Sequence, residues 1–505
     1  MTSTTTLLWS LIRCLTIASI AVWPVAAVVS HIDASSSVPS RRWRFLLAVF
    51  PFFVPELLIG FNYRLTVTQM TSGASPLIAS ICTEALYGLL MLSRCLAVGV
   101  AISLLLPQRR ATKESMYSWL LLRDSMSASA WWYGWLTLKV FGEWQASLVG
   151  WSVMALMTFQ EFETAALMQI DQHPIAWSVW LFDAHAARLS LWSSLQIMIV
   201  PLLCELLMLC PAWCVLAHRP AAGADGPSFD HALNGRASVW KSATFSALLT
   251  PGIVLFALWP LLNNALPILR GVMLMQENSA LRQSCVQILT STGFAIGATV
   301  LSMGAAFRFC NAIMAAPAPA GTILNRIFWW ILLLPGLLGS LVLSLSLLAM
   351  FQLPVLRQLY DTWLPMLLGQ TLAVLPFSVV IVLLLIRLSD PTSLHSTRLL
   401  AASADPRVCR DMAAIRWRLT TVRWLLGGLI IAHRCFWDVT VASILRPVQV
   451  EPVITRLYNE MHYGRTEALM SLSLLAAMTP LVIAAAAMLL SRLVTIFWRS
   501  SRGHD

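Results

Sequence analysis

Long apolar runs separated by short polar segments dominate the chain. A helix needs about 20 mostly apolar residues to cross the roughly 30 Å hydrocarbon core of a bilayer. Eleven runs meet or approach that length. They lie near 7–30, 45–64, 79–106, 144–160, 188–217, 242–265, 284–306, 326–352, 363–387, 422–444 and 468–492. The pattern predicts an all-α polytopic membrane protein with about 11 transmembrane helices.

The composition agrees with that pattern. Of the 505 residues, 58 % are hydrophobic and only 11 % are charged, whereas soluble domains average about 25 % charged residues. So few charges could not cover the surface of a soluble protein of this size. A water-soluble enzyme, a disordered chain and a nucleic-acid binder are therefore excluded. The expected surroundings are a lipid bilayer, with no nucleic-acid partner.

The basic residues are concentrated in alternate loops. The two most basic internal loops carry Arg109, Arg110, Lys113, Arg123 and Lys139 in 107–143, and Arg398, Arg407, Arg410, Arg416 and Arg418 in 388–421. Cytoplasmic loops of membrane proteins are enriched in Lys and Arg. We therefore expect a multi-pass protein of the inner (plasma) membrane with both loops and the C-terminus in the cytoplasm and the N-terminus outside.

The first apolar run allows two interpretations. Residues 1–32, with Arg13 near the start, could form a signal peptide. The run is long, however, and it shows no clean A-x-A cleavage site. The basic segment 41–44 follows closely. These features favour a retained membrane span.

The order of features repeats along the chain. A polar segment, 218–241, reads as a cytoplasmic linker between a first half at 1–217, with five spans, and a second half at 242–505, with six. Each half contains a proline-containing run that leads to a glycine, then a long span, a basic loop and a span with an acidic exit. Duplicated halves of this kind are typical of transporters whose pathway lies between them.

The second half carries the sharper motifs. It contains WDVTVASILRP over 437–447, RLYN over 456–459 and MHYG over 461–464, and the first half contains FQEFETAALM over 159–168. With these segments, the chain resembles the inner-membrane permeases of binding-protein-dependent ABC importers, in particular the fused two-half type that transports ferric iron or thiamine. The resemblance implies two homologous permease halves, a separate ATP-binding subunit and a periplasmic substrate-binding protein. It favours iron(III) as the substrate; thiamine and phosphonate-like anions remain open.

The family docks its ATPase on a cytoplasmic loop with the signature E-A-A-x3-G-x9-I-x-L-P. In the second half, Ala401 and Ala402 match the two alanines, while Leu400 stands in place of Glu and Pro406 in place of Gly. The first half matches less well. The resemblance gives the candidate coupling residues Asp124, Ser127, Leu400, Ala401, Ala402, Asp405 and Pro406. A loop helix lying on the membrane is the alternative interpretation.

Charged residues within the apolar runs are candidates for a translocation path, because such charges are costly in a bilayer unless they are paired or hydrated. Arg434 and Asp438 are four residues apart, so we expect them to share one helix face and to pair. A buried structural ion pair is the alternative. The acidic exit of the first half places Glu161 and Glu163 in the same candidate path. The same two interpretations apply to Arg94, Glu84 and Glu205.

No catalytic or cofactor motif occurs. G-x4-G-K-[ST], H-E-x-x-H, G-x-S-x-G and paired metal-ligand spacings are all missing from the sequence. We therefore expect no enzymatic activity, no metal site and no cofactor in this chain. The predicted function is that of a permease subunit of an ATP-driven importer. The alternatives are a degenerate permease acting as a sensor or assembly subunit, which the eroded coupling loops favour, and a multi-pass membrane enzyme such as a lipid-linked glycosyltransferase.

Overall fold

The chain is helical throughout the described regions. The computed structural model describes residues 3–34, 37–106, 127–140, 144–168, 176–186, 190–217, 239–277, 280–314, 331–388 and 420–500, with a few isolated positions between them. These residues form helices and turns and contain no strand. The all-α fold class is thereby confirmed.

The chain divides into two compact units, Met1–Asn263 and Asn264–Asp505. The first unit contains α1 (Ser3–Asp33), α2 (Val38–Phe53), α3 (Glu56–Thr71), α4 (Pro76–Leu105), α5 (Ala128–Val140), α6 (Gln145–Phe159), α7 (Glu163–Met168), α8 (Trp177–Ala186), α9 (Leu191–Ile197), α10 (Ile199–Ala217) and α11 (Val239–Ile253). A π-helical turn, Val254–Leu258, leads into α12 (Trp259–Glu277), within which the boundary between the units falls.

The second unit continues with α13 (Ala280–Met314), α14 (Ile331–Leu337), α15 (Gly339–Phe351), α16 (Leu364–Leu388), α17 (Val422–Phe436), α18 (Val439–Leu445), α19 (Val453–His462) and α20 (Thr466–Ser500). A short 3₁₀ turn, Arg357–Leu359, precedes α16.

The number of spans is close to the predicted one. Six described helices are long and apolar enough to cross a membrane, and the number rises to nine if each of three bent helix pairs counts as one span. At the two other predicted positions lie α6, which has only 15 residues, and α20, which has 35. The described chain therefore has the architecture of a polytopic membrane protein.

Two of the bends have local causes in the sequence. Helices α2 and α3 meet at an angle of 74°. Between them, Val54 has an extended backbone, because proline disfavours helical backbone in the residue before it and Pro55 follows Val54. Helices α14 and α15 meet at 117° at Gly339, whose φ is +76°. Glycine adopts this left-handed conformation without the strain that a side chain would add.

The two units repeat one order of elements. In the first unit α1 packs on α4, α6 and α8, and α3 packs on α7. In the second unit α13 packs on α16, α17 and α19, and α15 packs on α18. The last helix of each series, α10 or α20, packs on α6 or α17 respectively. The duplication of features seen in the sequence is therefore also a duplication of helix packing.

Helix α11 belongs to the first unit, whereas the sequence-based division placed most of it in the second half. The predicted second half began at residue 242, but α11 packs on α1, α2 and α4, all within the first unit. Helix α11 thus packs within the first unit, a contact that hydropathy alone could not reveal. The proposed linker, 218–241, lies almost wholly outside the described residues.

Close helix contacts within the first unit depend on small residues. A Cβ added at Gly99 of α4 would lie 2.5 Å from Cγ2 of Val25 in α1. Ala18 and Ala21 of α1 are completely buried. Small side chains let helix backbones approach closely in membranes, where packing rather than water exclusion holds helices together.

Candidate functional site

The candidate site of the first unit is centred on Glu161, in the three-residue break between α6 and α7. Glu161 is only 3 % exposed. Its carboxylate accepts hydrogen bonds from the backbone N–H groups of Thr164 and Ala165, the latter at 3.1 Å. It therefore caps α7, because the first N–H groups of a helix have no partner within the helix. Ser178 Oγ donates to the Glu161 carbonyl oxygen at 2.8 Å, which ties the break to α8.

A third donor to the Glu161 carboxylate comes from α4. Tyr87 Oη donates to Glu161 Oε2 at 3.0 Å, and Tyr87 is fully buried. The guanidinium carbon of Arg13 lies 5.1 Å from the centre of the Tyr87 ring. Arg13 Nη2 also donates to Glu84 Oε2 at 2.8 Å, and Arg13 Nε contacts Glu84 Oε1. The break is therefore linked to α1 and α4 through a chain of buried polar groups.

A second buried ion pair lies between α3 and α4. Arg94 Nη1 and Glu56 Oε1 are 2.6 Å apart, and both side chains are more than nine-tenths buried. Isolated charges at this depth would be very unfavourable, so each partner stabilises the other. Arg94 and Glu84 are two of the charged residues that lie within apolar runs of the sequence. The structure joins them to Glu56 and Arg13 respectively, through contacts that sequence spacing could not reveal.

The second unit has an equivalent break between α17 and α18. Asp438 Oδ1 accepts a hydrogen bond from Val441 N–H at 3.1 Å and caps α18. Ser340 Oγ of α15 donates to Asp438 Oδ2 at 3.4 Å. A buried or half-buried carboxylate thus caps the short helix in both units, and each carboxylate also accepts a hydrogen bond from a hydroxyl group of another helix. We call these two breaks, 160–162 and 437–438, the acidic joints.

The predicted geometry of Arg434 and Asp438 is wrong. The prediction placed them one turn apart on a continuous helix, but α17 ends at Phe436 and the chain bends by 57° before α18. Asp438 starts the second helix instead of continuing the first. The spacing of four residues therefore does not place the two side chains on one helix face, and their pairing stays a prediction.

A further contact recurs in both units. The N–H of Trp177, the first residue of α8, donates to Ser10 Oγ of α1 at 2.8 Å. The N–H of Val453, the first residue of α19, donates to Ser291 Oγ of α13 at 2.8 Å. These serines cannot be recognised from the sequence, since a serine within an apolar run carries no distinctive signal. The repeated contact anchors the element that follows each acidic joint.

Of the remaining candidate residues, three lie within the described part of the chain and six lie outside it. Glu163 is the first residue of α7 and is half-buried, and Arg434 is half-buried near the end of α17. Ser127 is exposed and directly precedes α5. The other candidate coupling residues, Asp124, Leu400, Ala401, Ala402, Asp405 and Pro406, lie outside the described residues. Their role in coupling stays a prediction, as does a translocation path through the four charged residues.

Comparisons with protein-family models, curated proteins and solved structures found no match for this chain.

Proposed function

We propose that the chain is the transmembrane permease subunit of an ATP-driven importer that takes up iron(III) delivered by a periplasmic binding protein. The observation that carries the proposal is the duplicated acidic joint. Each unit interrupts an apolar helix, caps the next short helix with a carboxylate and anchors the following helix to a serine. The ABC class and iron come from the motifs at 159–168 and 437–464.

Physical constraints on membrane helices support a transport role. Helix breaks at membrane depth are tolerated only where the freed backbone is buried in protein or lines a cavity. Many transporters are built from internal repeats with interrupted helices near their substrate path. The acidic joints belong to such repeated interrupted helices. This favours a path whose polar groups include Glu161, Glu163, Arg434 and Asp438.

ATP binding is assigned to a separate subunit, because the chain lacks a phosphate-binding loop. The coupling loops would dock on that subunit from the cytoplasm. The loop of the second half keeps Ala401 and Ala402, two small residues that allow close approach of a partner groove. We therefore propose an asymmetric contact, dominated by 399–405, with a weaker contact near Ser127.

Co-purification with the ATPase tests this function. The affinity-tagged chain is purified from its native host in mild detergent, and ATP hydrolysis and the identity of bound subunits are measured. The wild type should retain a subunit with a Walker A motif. Ala402→Glu should abolish its retention through steric clash and desolvation of the added charge, whereas the matched control Ser127→Glu should retain most of it.

Two other outcomes would contradict the proposal. If no ATP-hydrolysing subunit accompanies the wild type, the degenerate sensor or assembly subunit becomes the better interpretation. If a subunit binds equally well to the wild type and to Ala402→Glu, the docking loop has been placed wrongly.

A further inference from the structure

Glu205 is a buried carboxyl group in an apolar helix, apart from the ion pairs of the first unit. It belongs to α10, which is one of the six span-length helices. Glu205 is 2 % exposed, whereas Leu203 and Leu207 of the same helix are 54 % and 71 % exposed. The helix therefore turns the carboxyl group of Glu205 inwards and the side chains of Leu203 and Leu207 outwards. Glu205 lies six residues into α10, or about 9 Å along the axis.

The partner of Glu205 is neutral. Gln160 Nε2 donates to Glu205 Oε2 at 2.8 Å. Among the described residues, no other hydrogen bond reaches this carboxyl group, and no Arg, Lys or His lies within ion-pair distance. Among the described helices, α6 and α9 make the main contacts with α10, and neither contains an Asp, Glu, Lys, Arg or His.

The neighbouring titratable groups add no positive charge. Cys204 precedes Glu205 on α10, and Glu161 follows Gln160 at the acidic joint. The two buried arginines of this unit, Arg94 and Arg13, are paired with Glu56 and Glu84 respectively. Among the described residues, an ionised carboxylate at Glu205 would therefore have no positive charge beside it.

We propose that Glu205 is a proton-binding site that holds a proton in this conformation. A buried carboxylate without a counter-charge is so unfavourable that such a group normally takes up a proton instead. The reaction is carboxylate plus a proton from water to give the neutral acid. Oε2 accepts from Gln160, so the proton resides on Oε1.

The site adjoins the first acidic joint. Gln160 is the C-cap residue that follows α6, and the adjacent Glu161 caps α7. Release of the proton would place a negative charge on the side chain that is hydrogen-bonded to Gln160. The protonation state of Glu205 therefore acts directly on the residue at which the first acidic joint begins. This inference does not depend on the proposed transport function.

Infrared spectroscopy of the full-length protein in lipid nanodiscs tests the site. At neutral pH the wild type should show the C=O stretch of a protonated carboxylic acid. Glu205→Gln should lose the intensity of one such group per chain. The control Glu467→Gln removes a partly exposed carboxylate near Arg270 and should leave the band unchanged. Gln160→Leu should shift the band to higher frequency, since the carbonyl loses its donor.

Each contrary result overturns the proposal. Absence of the band in the wild type would show that Glu205 is ionised. An unchanged band in Glu205→Gln would assign the proton to another group. Failure of Glu205→Gln to fold would also contradict the proposal, because a carboxamide matches the neutral acid in size and charge.

Discussion

At the residue scale, the buried pair of Arg94 and Glu56 gives a sharp prediction. Glu56→Gln leaves the Arg94 guanidinium buried beside a neutral amide. Breaking a buried pair in this way costs about 3–5 kcal/mol of unfolding free energy. Unfolding of the purified protein in mixed micelles measures the loss. As a matched control, Asp33→Asn breaks the more exposed pair with Arg41 and should cost only about 0–1 kcal/mol.

A double variant distinguishes pairing from general sensitivity at these positions. Glu56→Gln combined with Arg94→Gln removes both charges, so part of the lost stability should return. The single variant Arg94→Gln completes the comparison. If its loss of unfolding free energy adds in full to that of Glu56→Gln in the double variant, the two side chains do not stabilise each other.

The hydroxyl group of Tyr87 makes a separate contribution at this scale. Tyr87→Phe preserves the ring beneath Arg13 and removes only the donor to Glu161. Hydrogen bonds to charged groups contribute about 1.5–3 kcal/mol, so a loss of that size is expected. The same unfolding assay checks it. A wild-type stability in Tyr87→Phe would mean that the bond to Glu161 contributes nothing.

At the element scale, two substitutions of Asp438 distinguish its role as the cap of α18 from the role of its charge. Asp438→Asn keeps a side-chain oxygen for Val441 N–H, whereas Asp438→Ala removes it. Loss of such a cap costs about 0.5–2 kcal/mol. We expect the alanine variant to lose this stability and the asparagine variant to retain most of it. If the two variants lose stability equally, the charge of Asp438 matters more than the cap.

The repeated serine contact predicts matched effects in the two units. Ser10→Ala and Ser291→Ala each remove the acceptor for the first N–H of α8 or α19. Each should lower local stability by about 0.5–1.5 kcal/mol. Hydrogen exchange should become faster in the first turn of α8 in one variant and of α19 in the other. Faster exchange in only one of the two would argue against equivalent joints.

The positions of the long apolar helices could be predicted from the sequence, whereas the breaks at the acidic joints could not. Apolar length was enough to place the spans, because the bilayer sets that length. A helix break leaves hydropathy unchanged, so the run 422–444 concealed the bend that separates Arg434 from Asp438. In the sequence, Arg13 has the position of a basic residue near the start of a possible signal peptide. Its pairing with Glu84 cannot be recognised there, because the two residues are 71 positions apart. Pairing over such separations depends on packing, which a single sequence does not encode locally.

At the scale of the whole molecule, the arginine distribution predicts the topology. In a cysteine-free background, Ser403→Cys in the basic loop should react with a membrane-impermeant thiol reagent only after the cells are opened. Asp183→Cys, at an exposed position of α8, should react in intact cells, because loop 161–187 contains no Lys or Arg before Arg188. Labelling of Ser403→Cys from outside would reverse the orientation.

We propose that this chain imports its substrate at the expense of ATP. Import is measured as uptake of radiolabelled ferric iron into proteoliposomes that contain the complex purified through the tagged chain, with ATP on the cytoplasmic side and the binding protein on the other. We expect accumulation that requires ATP and is lost in the docking variant Ala402→Glu. The proposed substrate would be contradicted if the intact wild-type complex hydrolyses ATP without transporting iron. The transport function itself would be contradicted if the wild-type chain shows neither ATP hydrolysis nor uptake.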